Sequence, residues 1–285
     1  MAILVLLTLC LAPSAIAADA EVRTVTVTVT DEKGEPVEGL AVPDVALLEN
    51  GVVRDLTAVT HDRRPLTLVL LVDTSQAVDS FYRLNLVDAV TGFLARLPAG
   101  STYALWTTGD RPTKVVDFTD DVQAASRALV RVVPQGGTTL LDALVEASED
   151  LKKKEGERTA VVAVTAAGPE FSSRDRYQVA ERAGKNADLF LAVFIEEGST
   201  SFQNRTSYDY VLSSLTGSTG GLYETTLSPM GVDSALRKLS AHLRGQYRLS
   251  YATVPELEKR KIEVKVARPG VRVRVGPQPI PRRES

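Results

Sequence analysis

Two periodicities divide the chain. Apolar and polar residues alternate at period two near both ends, whereas continuous apolar runs alternate with helical stripes through the middle. The segment RTVTVTVTDEKGEPVEGL alternates and then breaks at a Gly/Pro turn, the pattern of a half-buried strand. In VALLENGVVRDLTAV, the pair Asn50-Gly51 predicts a two-residue hairpin turn that needs positive φ at both positions. Alternation returns in QYRLSYATV, KRKIEVKVARPG and VRVRVG. So few strands need a partner surface. Residues 21–59 and 246–276 are therefore expected to pair or pack into one small β module made from both ends of the chain.

Between these ends, strand-like runs at residues 66–72, 103–107, 160–164 and 189–195 alternate with helical patterns at 79–97, 121–132, 140–154, 175–185, 207–215 and 232–244. Such alternation predicts an α/β fold: a doubly wound, mostly parallel sheet with helices on both faces, carrying the small β module of the flanks. Residues 114–118 follow their predecessor too closely for a helical crossover and read as an antiparallel edge strand. Leu84, Val87, Val90 and Leu94 form an expected core stripe, and Trp106 is expected to pack within its strand. The expected organisation is a leader at 1–17, an amino-terminal β segment at 18–62, an α/β domain at 63–245, a carboxyl-terminal β segment at 246–277 and a disordered Pro-rich tail at 278–285.

Composition adds an address and removes several chemistries. The first residues, MAILVLLTLCLAPSAIAADA, read as a secretory signal peptide cleaved after Ala17 or Ala18, which implies export to the periplasm, cell surface or medium. No other run approaches the roughly 20 apolar residues of a bilayer span, so no stable membrane span is expected after cleavage. Cys10, the one cysteine among 285 residues, lies in that leader, so the mature protein would have no disulfide, thiolate metal site or cysteine nucleophile. A net charge of -3 with scattered Lys and Arg argues against a nucleic-acid partner.

The candidate chemistry sits at strand ends. The run LTLVLLVDTSQA delivers Asp73, Thr74 and Ser75 to the carboxyl end of a buried strand, where open α/β sheets place ligand sites. Thr138 follows Gly136-Gly137 ahead of a helix, and Thr165-Ala166-Ala167-Gly168 follows another strand. Enzymatic readings find little support: no G-x-S-x-G elbow or G-x-G-x-x-G follows a strand, and the glycine-rich residues 217–221 lack the Lys-Ser/Thr ending of a phosphate loop. His61 and His242 lack neighbouring acids in a suggestive pattern and read as surface or linker residues.

The order and spacing of these three loops resemble the von Willebrand factor A domain, whose metal-ion-dependent adhesion site combines D-x-S-x-S, a threonine after paired glycines, and T-D-G. Thr219-Gly220-Gly221-Leu222-Tyr223 is similar to the T-G-G that precedes the last strand of such domains, and the flanks resemble bacterial secreted proteins related to that family. Carried over by position, the resemblance assigns Asp73, Ser75 and Thr138 as metal ligands, whereas Ala77 and Ala166 replace the second serine and the third-loop acid. Mg²⁺ demands near-octahedral oxygen coordination, so weak Mg²⁺ or other divalent-cation binding, or none, is expected and no cofactor is implied. Asp142 and Asp79 lie near the same rim and are explained as helix-terminal charges. The resemblance implies a secreted, non-enzymatic protein-interaction module with a degenerate metal site and a protein partner, recognised through residues 75–81, 136–139, 168–173 and 199–208. An alternative is a structural or assembly subunit of the cell envelope; a remote one is a hydrolase using Asp73 and Ser75, for which no general base is visible. An exposed apolar patch beside the loops favours recognition, and one on the β module favours assembly.

Overall fold

The computed structural model describes residues 21–154, 158–196, 202–253 and 260–277. The expected leader, the tail at 278–285 and residues 199–201 of the fourth expected recognition loop lie outside the described residues. The elements are β1 (Glu21–Asp31), β2 (Val45–Glu49), β3 (Val52–Arg54), β4 (Leu56–His61), β5 (Leu66–Val72), α1 (Val87–Leu94), β6 (Thr102–Thr108), β7 (Pro112–Thr119), α2 (Val122–Leu129), α3 (Leu140–Lys152), β8 (Arg158–Ala166), α4 (Arg176–Ala183), β9 (Leu189–Ile195), α5 (Phe202–Ser218), β10 (Tyr223–Thr226), α6 (Val232–Arg244), β11 (Gln246–Thr253), β12 (Ile262–Val266) and β13 (Val271–Val275).

The central sheet has the order β10-β9-β8-β5-β6-β7, parallel throughout except for β7, the antiparallel edge that the short link demanded. β5 and β9 are buried along their whole length because helices cover both faces, which is why their sequences are unbroken apolar runs rather than alternations. One apolar layer joins α1, α2 and α6 to the sheet, and the other joins α3, α4 and α5.

Both flanks meet as the alternation implied. β1 lies between β11 and β13, with Val25 opposite Leu249 and Val27 opposite Val275, and β4 completes a four-stranded sheet of order β13-β1-β11-β4. A second sheet, β12-β2-β3, packs its apolar face on the first around Val27, Leu47, Tyr247 and Leu249. The β2-β3 hairpin turns at Asn50 (φ 51°) and Gly51 (φ 80°), the left-handed geometry that the Asn-Gly pair favours. The hairpin is shorter than the alternation suggested, because after Asp55 the chain crosses to pair with β11 as β4.

Two expectations need correction. Leu84 is 79% exposed, although Val87, Val90 and Leu94 are buried as expected. The turn over Tyr82–Leu86 is a π-helix, which shifts the phase of the stripe so that Tyr82 and Leu86 face inward instead. His242 is no surface residue. It is buried on α6, with Nε2 3.2 Å from the Thr28 hydroxyl of β1, and so ties the β module to the α/β domain. His61, near the surface, stacks on Tyr247 with ring centroids 4.8 Å apart.

Candidate functional site

The site begins with the end of β5. Beyond Val72, the Asp73 amide still bonds Val164 O at 2.9 Å, so the sheet continues one residue into the loop and buries the carboxyl completely. Asp73 Oδ1 accepts from the Ser75 amide at 2.8 Å, and Oδ2 accepts from the Thr165 hydroxyl and the Ala166 amide, both at 3.0 Å. Burial pushes the Asp73 carboxyl above its usual range, against the opposing pull of these hydrogen bonds. Asp73 therefore pins two loops at the tips of β5 and β8.

Thr138 stands beside them. Its amide bonds Pro169 O at 2.9 Å, its carbonyl accepts from the Phe171 amide at 2.7 Å, and its hydroxyl donates to Thr108 O at 2.7 Å. The hydroxyl that the family pattern assigns to a metal is thus engaged by β6. A Cβ on Gly137 would lie 2.6 Å from the Phe171 ring, so the missing side chain lets that aromatic lie against the loop backbone. The three loops are joined to one another by main-chain bonds, including Gln76 to Gly136 O and Gln135 to Thr74 O.

Ala77 and Ala166 have clear places. Ala166 is fully buried in the apolar layer shared with α1 and α6, and Ala77 packs against the same layer. A Cβ at Gly168 would stand 3.0 Å from the Ala77 methyl. Ala166 belongs to the core below the loops, and Ala77 lies partly buried against it. Asp142 does not take their place: its carboxylate accepts from the Ser173 amide at 2.9 Å and pairs with Arg174 at 2.9 Å. Those contacts hold its carboxyl below the usual range although burial opposes them, and Asp142 shapes the 172–174 loop. Asp79 is exposed at the carboxyl end of the short turn Gln76–Val78, not an amino-terminal helix cap, because the chain continues into the π-helix.

The structure adds one residue that the motif reading missed. Glu170 bridges to Thr138 through the backbone, and its Oε1 accepts from the Ser172 amide at 3.0 Å. Burial raises its carboxyl to about 7, opposed by the Ser172 bonds and reinforced by the charge of Asp73. Its Oε2 and the Ser75 hydroxyl are buried, Oε2 facing Tyr208 and the hydroxyl facing Asp73, and among the described residues neither makes a well-formed hydrogen bond. Only its position two residues past Gly168 hinted at this role; its burial depends on the neighbouring Tyr208 of distant α5, whose hydroxyl bonds Gly168 O at 3.1 Å.

Glu170 offers one carboxylate where the family pattern has none. Even so, methyl groups occupy two pattern positions, so the pattern residues that remain supply one carboxylate and two hydroxyls. Among the described residues no cluster of three or more His, Cys, Asp and Glu side chains could hold a metal. This donor set does not fit a six-coordinate hard cation.

The rim above these residues is apolar in places. Phe171 is 60% exposed, and Leu227 and Met230, which follow the carboxyl end of β10, are 79% and 82% exposed. Leu84 stands on the π-helix, which touches the 229–231 turn. By contrast, Phe81 and Tyr208, both within the expected recognition loops, are buried and cannot contact a partner.

Residues 68–168 match the family model of the von Willebrand factor type A domain. Among solved structures, the SpRpn10 VWA domain is similar at 18% identity and a TM-score of 0.50, over 63% of this chain and 98% of that one. A von Willebrand factor type A protein from Catenulispora acidiphila is similar at 11% identity and a TM-score of 0.54, over 90% of this chain and 72% of that one. Proximal thread matrix protein 1 from the mussel byssus is similar at 16% identity and a TM-score of 0.51, over 68% of this chain and 50% of that one. A comparison with curated proteins finds no match. At these identities the structural likenesses establish the fold alone.

Proposed function

We propose that this chain, whose residues 68–168 match the von Willebrand factor type A domain, is a non-enzymatic module that recognises a protein partner through the loops at the carboxyl ends of its parallel strands. The observation that carries this reading is the set of exposed apolar side chains at the strand ends: Phe171 on a loop that main-chain hydrogen bonds tie to its neighbours, Leu227 and Met230 after β10, and Leu84 on the π-helix that touches the 229–231 turn. Exposed apolar groups on a rigid scaffold supply contact area at little entropic cost on binding. The signal-like residues 1–17 support an exported location.

Asp73, Ser75 and Thr138 act in this reading as the scaffold of the rim, with cation binding weak or absent. Ala166, within the core, and Ala77, packed against it, support that view. The β module also exposes Val52 and Val53 on β3, and a role in assembly is the second reading.

Exchange of Phe171, Leu227 and Met230 together for serine should reduce crosslinked partner recovered from the native exported fraction at least about 10-fold, because such truncations remove the anchors that dominate interfaces. The pair Val52→Ser and Val53→Ser should leave recovery unchanged, and so should EDTA. Loss with the β3 pair alone would select the assembly reading; loss in EDTA would overturn the scaffold reading of Asp73. Unfolding curves on each variant separate lost recognition from lost fold.

A further inference from the structure

At the seam between the central sheet and the β module lies a cavity of about 140 Å³. Its walls carry four cationic side chains, Lys33, Lys238, Arg272 and Arg274, against two carboxylates, Glu32 and Glu224. That excess is notable on a chain whose net charge is -3.

Local structure explains the convergence. Alternation along β13 places Arg272 and Arg274 on one face, opposite Thr30 and Thr28 of β1. The turn after β1, where Asp31 Oδ1 accepts from the amides of Lys33 and Glu35 at 2.8 and 2.9 Å, brings Lys33 to the mouth. From the other side, α6 contributes Lys238.

These cations differ in their commitments. Lys238 pairs with Glu224 at 2.6 Å, and Arg274 donates to Gly221 O at 3.2 Å, so both are fixed walls. Lys33 and Arg272 have no side-chain hydrogen bond or ion pair among the described residues, although both line the cavity. A concave site with a net positive lining concentrates anions, and guanidinium groups match the oxygens of tetrahedral anions. The space is sufficient for several waters or one such ion.

We propose that this seam binds a small free oxyanion of the phosphate or sulfate class, held by Arg272 and Lys33 between the walls formed by Arg274 and Lys238. Because its walls come from β1 and β13 on one side and β10 and α6 on the other, the bound anion clasps the β module to the α/β domain. This site is independent of the rim and of any partner bound there.

The test is the unfolding temperature and calorimetric titration of the full chain with inorganic phosphate, against chloride at matched ionic strength. A ligand that binds only the native state raises the unfolding temperature. The expected result is a rise of several degrees at ~10 mM phosphate, with at least about 10-fold weaker binding in Arg272→Gln plus Lys33→Gln and in Lys33→Gln alone. Arg127→Gln, on the exposed side of α2, should retain the full response. No rise in the wild type, an equal rise in the Arg272/Lys33 variant, or a response to an acidic or phosphorylated peptide but not to phosphate itself would each overturn the proposal. Far-UV circular dichroism on every variant checks that the fold is intact.

Discussion

Replacing Glu49 with alanine is expected to destabilise the protein by about 3–5 kcal/mol, the cost of breaking a buried ion pair from one side. Glu49 ends β2 with no solvent exposure, enclosed between the two sheets of the β module. It accepts from Arg54 Nε at 2.9 Å, the Thr253 hydroxyl at 2.5 Å, the Tyr251 hydroxyl at 3.3 Å and the Arg260 guanidinium. Burial works against its charge, yet the Thr253, Arg260 and Arg54 contacts hold the carboxyl below its usual range. Alanine removes the anion but leaves Arg54 and Arg260 where they were brought to meet it. Glu49→Gln keeps the volume and one acceptor and should cost less. Urea unfolding of both variants measures this; a loss below about 1 kcal/mol for alanine would show that the charges relax into solvent, as exposed pairs do.

His242 gives the second large effect, one that depends on pH. Burial depresses its imidazole to about 3, with the Arg274 charge adding to the effect, a bond to the Gly220 backbone opposing it and Arg158 adding a little. In the unfolded chain histidine takes up a proton near 6.5. Between these values the unfolded state binds a proton that the native state refuses, so the stability is complete above 6.5 and is lost as pH falls toward 3. From pH 7 to pH 4 the loss amounts to about 3 kcal/mol. Glu170 acts in the opposite sense, because its raised carboxyl favours the native state on acidification. The informative quantity is therefore the stability gap between wild type and His242→Gln, in which Glu170 cancels. That gap should shrink by about 3 kcal/mol between pH 7 and pH 4 in phosphate-free buffer; a gap independent of pH would mean that the imidazole takes up its proton as readily in the native state as in the unfolded chain.

Much of the architecture was legible because burial on two faces leaves an unmistakable pattern. The runs at 66–72 and 189–195 coincide with β5 and β9, and the stripe at 232–244 coincides with α6. Asn50-Gly51 specified its turn through the φ values it tolerates. Gly221 has a packing reason as well: a Cβ there would lie 1.8 Å from Phe190 O, so the loop before β10 can approach β9 only without a side chain. Leu84 misled because apolar spacing assumes 3.6 residues per turn, and the π-helix breaks that count.

The site was legible as a list of residues but not as an environment. Asp73, Ser75 and Thr138 lie in interlocked loops, yet the motif gave no sign that the Thr138 hydroxyl donates to Thr108 or that Ala166 is a core residue with Ala77 packed against that core. Nor could it place Glu170 beside Asp73, since that burial involves a tyrosine 38 positions away in the chain.

What the sequence alone determined are the features that repeat along the chain: strand and helix type, the doubly wound, mostly parallel class, and the union of both ends in one β module. Tertiary structure alone decided which polar groups lose water. Desolvation is set by neighbours distant in sequence, and it is desolvation that makes Glu49 and His242 structural and alters Glu170. Likewise, Lys33 and Arg272 share a cavity only because β1 and β13 are neighbouring strands.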